Sequence, residues 1–145
     1  MVGGIEERKN TQRVLEAFIQ LRATQPKAQL VIVGGASLLN HDVYQQQFST
    51  SLAAHGLTVR PGQAVVITGP VPEADMPALF RAADALLMPS LREGFGLVVL
   101  EALASGTPVV VSRIPPFTEY LGEGDGLWVD PRNVASISHA MQRAL

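Results

Sequence analysis

Two carboxylates, Glu93 and Glu101, stand eight positions apart in the segment PSLREGFGLVVLEALASGTPVVVS, which covers residues 89–112. Glycines at positions 94 and 96 closely follow the first acid, and the second acid is the only charged residue between positions 95 and 104. Carboxylates can accept hydrogen bonds from hydroxyl groups or exchange protons with a substrate. Glycines let the backbone approach a ligand closely. The segment therefore combines two hydroxyl-binding acids with a backbone that could contact an anion.

The apolar pattern around Glu101 predicts a helix from about Gly96 to Ser105, ended by Gly106. Residues at helical spacing share one of its faces, namely Leu97, Leu100, Glu101 and Ala104. We expect this face, and Glu101 with it, to point into the protein. An unpaired buried carboxylate is costly or takes up a proton, so a hydroxyl donor in a cleft would be a suitable partner.

The glycines lie between this helix and a predicted strand that ends near Pro89. In doubly wound sheets ligands bind outside the carboxyl ends of the strands, and the first N–H groups of a helix suit an anion. One ligand could place phosphates on the amides of Phe95, Gly96 and Leu97, and a sugar hydroxyl on Glu101. The spacing leaves a second interpretation open, in which the glycines serve packing alone and an internal arginine pairs with the acid.

Short apolar runs alternate with helical patterns along the whole chain. Strands are predicted at 29–33, 64–68, 85–89, 108–112 and 127–129, and helices at 10–23, 44–52, 75–80, 96–105 and 133–145. Most of the strands are continuously apolar, which is typical of parallel strands covered on both faces. The alternation predicts an α/β fold with a doubly wound parallel sheet, and Asn10 is expected to cap the first helix.

Composition narrows the classes of function. The chain has 145 residues, 47% of them hydrophobic and 17% charged, which suits one compact domain. The net charge of −2 gives no general attraction to nucleic acid or to an anionic membrane. The absence of cysteine excludes disulfides and thiol nucleophiles, and it fits a cytoplasmic protein. The histidines, His41, His55 and His139, are isolated from one another, so no metal site is predicted.

The segment 89–112 resembles the E-x7-E signature of retaining glycosyltransferases with the GT-B fold, a group that includes sucrose synthase, glycogen synthase and bacterial mannosyltransferases. Glu93 and Glu101 match its two acids. Further stretches are similar to the family in the same order: VGGIEERKN, AQLVIVGG, VVITGPVPEADMPALFRAADALLMPS and GDGLWVDPRN. The resemblance implies that residues 1–145 form a single Rossmann-like domain, the C-terminal half that binds the nucleotide-sugar donor. Both ends look cut, so we expect a fragment that lacks the N-terminal acceptor domain.

The resemblance also implies roles for the residues of the segment. Glu101 would bind the ribose hydroxyls of the donor, and Glu93 would be the catalytic residue that contacts the transferred sugar and stabilises charge at its anomeric centre. The donor phosphates would lie on the loop formed by Gly94, Phe95, Gly96 and Leu97.

Outside the loop, the resemblance implies that Lys9 neutralises the diphosphate, that Val71 lies against the base and that Ser90 shapes the pocket wall. Many relatives have an arginine where this chain has Gly4. Arg8 could replace the missing charge, or it could be a solvated loop residue.

The implied reaction is retaining sugar transfer from a nucleotide-diphosphate sugar, with no other cofactor and no bound metal. We expect the isolated chain to bind the donor without turnover and any membrane association to need the missing half. Two alternatives stay open: a non-enzymatic Rossmann-like module that binds a phospholigand or a partner, and a related nucleotide-sugar epimerase.

Overall fold

The computed structural model describes residues 1–34 and 42–145; His41 and the last glycine of AQLVIVGG lie outside this part. The elements are, in chain order, α1 (Thr11–Arg22), β1 (Leu30–Val33), α2 (Asp42–Ala54), β2 (Val65–Gly69), a short 3-10 helix (Glu73–Asp75), α3 (Met76–Ala82), β3 (Leu86–Met88), α4 (Leu97–Ala104), β4 (Val109–Ser112), α5 (Phe117–Tyr120), β5 (Leu127–Val129) and α6 (Val134–Ala144). All five predicted strands are present, with ends that differ by one residue at most. The predicted alternation of strands and helices is therefore confirmed.

Every pairing between these strands is parallel, as the continuous apolar runs predict. β1 pairs with β2, while β3, β4 and β5 form a second group in that order. The start of the chain adds to β1 through a parallel bridge between Val2 and Val33. Because all the strands of each group point the same way, their carboxyl ends meet at one edge.

Glycines and serines occupy this carboxyl edge. Gly34, after β1, donates its N–H to the carbonyl of Gly69 at the end of β2, at 3.1 Å. Ser112, at the end of β4, donates its hydroxyl to the carbonyl of Ser90 at 2.7 Å. Small residues with satisfied backbone groups thus border the space where a doubly wound fold binds its ligands.

The core consists of two clusters of buried side chains. The larger one joins β1 and β2 to α1, α2 and α6 through Leu15, Phe18, Phe48 and Ile137. The smaller one joins β3 and β4 to α4 and α5 through Met88, Val99 and Phe117. Burying such side chains stabilises the fold by about 1.5–3 kcal/mol each, so these contacts hold the carboxyl edge in place. None of the helices over residues 1–34 and 42–145 is long and apolar enough to cross a bilayer.

Helix α4 forms where the sequence predicts it, but the expectation that Glu101 points into the protein is wrong. Leu97 is 60% exposed and Leu100 and Glu101 are exposed with it, so the predicted face exists and points outward. The buried side carries Val99 and Ala102 instead. The sequence LVVLEALA is apolar on nearly every side, so its periodicity does not tell which face meets the core.

Asn10 stands at the start of α1 as predicted, but its side chain does not cap the helix. Its backbone is left-handed, with φ 61° and ψ 30°, and its side chain turns toward other loops. The hydroxyl of Tyr44 accepts the N–H of Gln12 at 2.8 Å instead, and so serves a first-turn donor of α1.

Candidate functional site

Glu93 lies at the centre of a cluster of polar groups at the carboxyl edge. Its side chain is only 9% exposed, and Lys9 Nζ lies 2.7 Å from its Oε2. Arg8 Nη1 lies 3.2 Å from the other oxygen, Oε1. Arg8 also reaches Glu6, at 3.4 Å, so its guanidinium bridges two acids. The structure thus brings the two predicted phosphate-binding cations to the predicted catalytic acid.

Two neighbours complete the hydrogen bonds of Glu93. The hydroxyl of Ser90 donates to Oε2 at 3.3 Å, and the N–H of Gly94 donates to Oε1 at 3.2 Å. Partial burial raises the pKa of Glu93, but the bond and the charge of Lys9, the Gly94 amide and the Arg8 charge together hold that pKa below its ordinary value. Glu93 is therefore ionised at neutral pH.

The cluster depends on the loop before α1 meeting the loop after β3. The N–H of Leu91 donates to the carbonyl of Arg8 at 2.9 Å. The side chain of Asn10, beside Lys9 in the chain, donates to the carbonyl of Pro89 at 2.9 Å. One backbone bond and one side-chain bond to a backbone carbonyl therefore hold together the two loops that carry Lys9 and Glu93.

The glycine loop between Glu93 and α4 is held from the other side by α5. Gly96 has a left-handed backbone with φ 78°, and no described side chain caps the helix that it starts. A Cβ at this position would lie 2.5 Å from Cε1 of Phe117. The Tyr120 hydroxyl donates to the carbonyl of Phe95 at 2.9 Å, and the two rings stack with centroids 5.4 Å apart. Contacts with α5 thus hold the loop, and the first turn of α4 is available to a ligand.

The end of the glycine loop and α4 together present an exposed apolar face that we define as Phe95, Leu97 and Leu100, with Glu101 beside them. A solvated Glu101 carboxylate needs no internal partner in the ligand-free domain and can exchange its bound water for hydroxyl donors.

The structure does not join every predicted residue to the Glu93 cluster. Among residues 1–34 and 42–145, neither Glu101 nor Val71 makes a hydrogen bond or an ion pair with it. Val71 is half-buried two positions after β2, whose end lies at the same edge.

Sequence reasoning missed two residues that shape the site. Asn10 is expected only as a cap, and Tyr120 has no predicted role. One sequence signal points to Asn10: it directly follows Lys9 at a helix start, and asparagine is among the few residues besides glycine that favour a left-handed backbone, which Asn10 adopts here. The bond from Tyr120 spans 25 positions and has no local signal.

Two cavities bordered by described residues lie away from the Glu93 cluster. One of about 290 Å³ is bordered by Leu30, Ala85 and Leu87, near the amino ends of β1 and β3 and therefore opposite the site. Another of about 140 Å³ lies between α3 and the strands and is bordered by Leu79. The Glu93 cluster instead lies at an open edge, as expected of one wall of a cleft.

Comparison with known proteins agrees with this geometry. The family model described as "Glycosyl transferases group 1" matches residues 1–145. O-antigen chain mannosyltransferase B of Escherichia coli is 36% identical over 142 residues, which are 97% of this chain and 35% of that protein. The chain thus spans about a third of the length of this relative.

Solved structures give the same result. Sucrose-phosphate synthase from Thermosynechococcus elongatus superposes with a TM-score of 0.80 at 28% identity, covering 98% of this chain and 35% of that one. The C-terminal domain of a glycosyl transferase group 1 family protein from Francisella tularensis superposes with a TM-score of 0.80 at 25% identity, covering 98% of this chain and 72% of that one. The chain therefore belongs to the group 1 glycosyltransferases, and it corresponds to the C-terminal domain of their GT-B fold.

Proposed function

We propose that this domain binds the nucleotide-diphosphate sugar donor at its carboxyl edge, and that the complete enzyme transfers the sugar with retention and without a bound metal. The contact of Lys9 Nζ with Glu93, at 2.7 Å, carries this proposal. It places a cation suited to a diphosphate beside an ionised acid suited to a sugar. The description of the matching family model and the mannosyltransferase name of the Escherichia coli relative favour transfer over the epimerase and the non-enzymatic module.

The diphosphate would lie between the cations and the start of α4. Lys9 and Arg8 both pair with Glu93, and the positive end of the helix dipole begins at Gly96. Phosphate oxygens would compete with Glu93 for these cations. As the bond to the sugar breaks, negative charge grows on the leaving diphosphate, and fixed positive groups stabilise it. These groups could supply the charge that a metal provides in other enzymes.

The sugar would lie against Glu93. Its carboxylate is ionised and held by four hydrogen-bond donors, so its position is fixed before a ligand arrives. Glycosyl transfer passes through an oxocarbenium-like transition state with positive charge at the anomeric carbon. An anion nearby stabilises this charge more than it stabilises the neutral sugar, which is the condition for catalysis.

The nucleoside would extend along the exposed face of α4. Glu101 is solvated and can accept both ribose hydroxyls, while Val71, past the end of β2, would contact the base. Ser90, which bonds Glu93, would form the wall beside the sugar. The acceptor and the rest of the catalytic groups would come from the part of the enzyme outside this chain, so the chain alone should bind donor without turnover.

Isothermal titration calorimetry on this chain tests donor binding, with UDP, GDP and ADP and their glucose or mannose derivatives as probes. We expect the nucleotides of one base to bind. Glu101→Gln should weaken their affinity by about tenfold, which corresponds to the loss of one good hydrogen bond. Asp84→Asn is the matched control, because this exposed carboxylate precedes β3 at the opposite edge. Binding that Glu101→Gln leaves unchanged would contradict the assigned ribose contact.

The metal and the stereochemistry need separate measurements. Donor affinity should be the same with Mg²⁺ and with EDTA, and a large loss in EDTA would reject the metal-independent proposal. For the complete enzyme, the one-bond coupling between the anomeric carbon of the product and its proton gives the anomeric configuration, and comparison with that of the donor distinguishes retention from inversion. Sugar transfer by the isolated chain would contradict the proposal that the acceptor site and the remaining catalytic groups lie outside this chain.

A further inference from the structure

Asn10 combines features that a plain helix cap does not need. It is fully buried, and its left-handed backbone, with φ 61°, makes it the one residue other than glycine with positive φ in the described part of the chain. Its Nδ2 group donates to the carbonyl of Pro89 at 2.9 Å and to that of Pro131 at 2.6 Å. Its Oδ1 accepts a bond from Arg13 at 3.1 Å. Both amide protons and the amide oxygen are therefore used.

The two acceptors explain why an amide is needed here. Pro89 follows β3 and Pro131 follows β5, and both prolines are buried. Where a strand ends, its next carbonyl has lost the partner strand, and a buried carbonyl without a donor is costly. A single NH₂ group between the two loops satisfies both. Glycine would allow the left-handed backbone but has no side-chain donor. Aspartate would bring carboxylate oxygens, which only accept hydrogen bonds, against the two carbonyl oxygens.

These bonds lie next to the residues of the site. Lys9 precedes Asn10 in the chain, and Pro89 precedes Ser90, whose hydroxyl bonds Glu93. Apart from the bonds of Arg8 and Lys9 to Glu93 itself, only one other hydrogen bond of the described residues, from the N–H of Leu91 to the carbonyl of Arg8, connects the same two loops. A change at Asn10 would therefore let the loop with Lys9 move relative to the loop with Glu93.

We propose that Asn10 is a positioning residue of the donor site: by holding the loop before α1 against the loop after β3, it fixes where Lys9 stands relative to Glu93. The inference rests on the proposed function in that Lys9 and Glu93 are taken as donor-binding groups. The positioning itself concerns only this chain and can be measured without a ligand.

The test compares Asn10→Gly with the wild type. Glycine can keep the left-handed backbone but removes the side chain with all three of its hydrogen bonds, so loss of these bonds is separated from backbone strain. Carbon-13 NMR titration of the Glu93 carboxyl reports its contact with Lys9, because that contact holds the pKa of Glu93 down. We expect a higher Glu93 pKa in Asn10→Gly, and a dissociation constant for the bound nucleotide diphosphate raised by about tenfold.

Asn133→Gly is the matched control, because Asn133 also precedes a helix but is exposed and bonds only locally, to the N–H of Ser136 at 3.1 Å. It should lower stability and leave the Glu93 titration unchanged. A folded Asn10→Gly protein with the wild-type Glu93 pKa would overturn the proposal. In the wild type, the Asn10 NH₂ protons should be protected from solvent exchange, and rapid exchange would overturn it even where the variant does not fold.

The proposed function can fail independently of this inference. If no nucleotide binds the wild type while Asn10→Gly still raises the Glu93 pKa, the donor site is wrong and the positioning of Lys9 by Asn10 holds. If nucleotide binds and neither the Glu93 pKa nor the affinity changes in the variant, the positioning role is wrong and the donor site holds.

Discussion

Lys9 Nζ and Glu93 Oε2 lie 2.7 Å apart although 84 positions separate them in the chain. The pair forms because the end of the first loop and the start of the glycine loop meet at the carboxyl edge of the strands. A buried ion pair adds little net stability, since desolvation offsets most of the attraction. Removing one partner is different, because the remaining charge then stays buried and unpaired.

Lys9→Met should raise the pKa of Glu93, because the bond and charge of Lys9 are the strongest of the influences that lower it. The folded-state pKa of Glu93 lies below the ordinary value of 4.5, so its contribution to stability is complete above 4.5 and is lost as the pH falls through the folded-state value. At neutral pH the variant should be less stable by about 1–3 kcal/mol.

Urea unfolding of Lys9→Met and the wild type between about pH 7 and pH 3 checks this prediction, because the wild type should lose more stability over that range. Lys27→Met, at an exposed position, is the control and should follow the wild type. An equal acid-induced loss in Lys9→Met and the wild type would mean that Lys9 does not hold the Glu93 pKa down.

Gly96→Ala should destabilise the domain for two separate reasons. Alanine at φ 78° costs about 1–2 kcal/mol, and its Cβ would meet Cε1 of Phe117 at 2.5 Å. Gly106→Ala separates the two effects, because Gly106 has φ 80° and open space around its Cβ position. In urea unfolding, Gly96→Ala should therefore lose more stability than Gly106→Ala. Equal losses would show that Phe117 does not restrict the glycine loop.

The sequence predicts the elements of this domain better than their outward or inward faces. The strands are recognisable because runs such as the one around Val110 are apolar without alternation, which only a strand covered on both faces requires. Helix α4 is equally recognisable, but a helix that is apolar all round does not reveal its buried side. That is why Glu101 was expected inside and lies outside.

In the site, too, the sequence indicates residues within local motifs but not the contacts between residues far apart in the chain. Motif resemblance indicates Glu93, Lys9 and the glycine loop, and the structure brings these together. The bonds of Asn10 to Pro89 and Pro131 span 79 and 121 positions, and no local pattern encodes such contacts. What the sequence leaves undetermined is therefore which side chains hold the loops in place.

Tyr120→Phe should loosen the glycine loop without unfolding the domain. The change removes the hydroxyl bond to the carbonyl of Phe95 and keeps the ring stack, at a cost of about 0.5–1.5 kcal/mol. Because this bond holds the backbone that would contact the donor phosphates, nucleotide affinity should fall as well. Tyr44→Phe is the matched control, since it loses a hydroxyl bond to Gln12 outside the loop. Calorimetry should show weaker binding in the first variant only, and equal affinities would contradict the role of Tyr120.

Val99→Ala and Leu100→Gln test which side of α4 meets the core. Val99 is fully buried, so its truncation should cost about 2 kcal/mol through lost burial and the cavity that remains. Leu100 is exposed, so the more radical change to glutamine should alter stability by less than about 0.5 kcal/mol. Urea unfolding of the two variants gives the comparison. A larger loss of stability in Leu100→Gln would mean that the face with Leu100 and Glu101 is the buried one. It would then contradict the proposal that the nucleoside lies along this face.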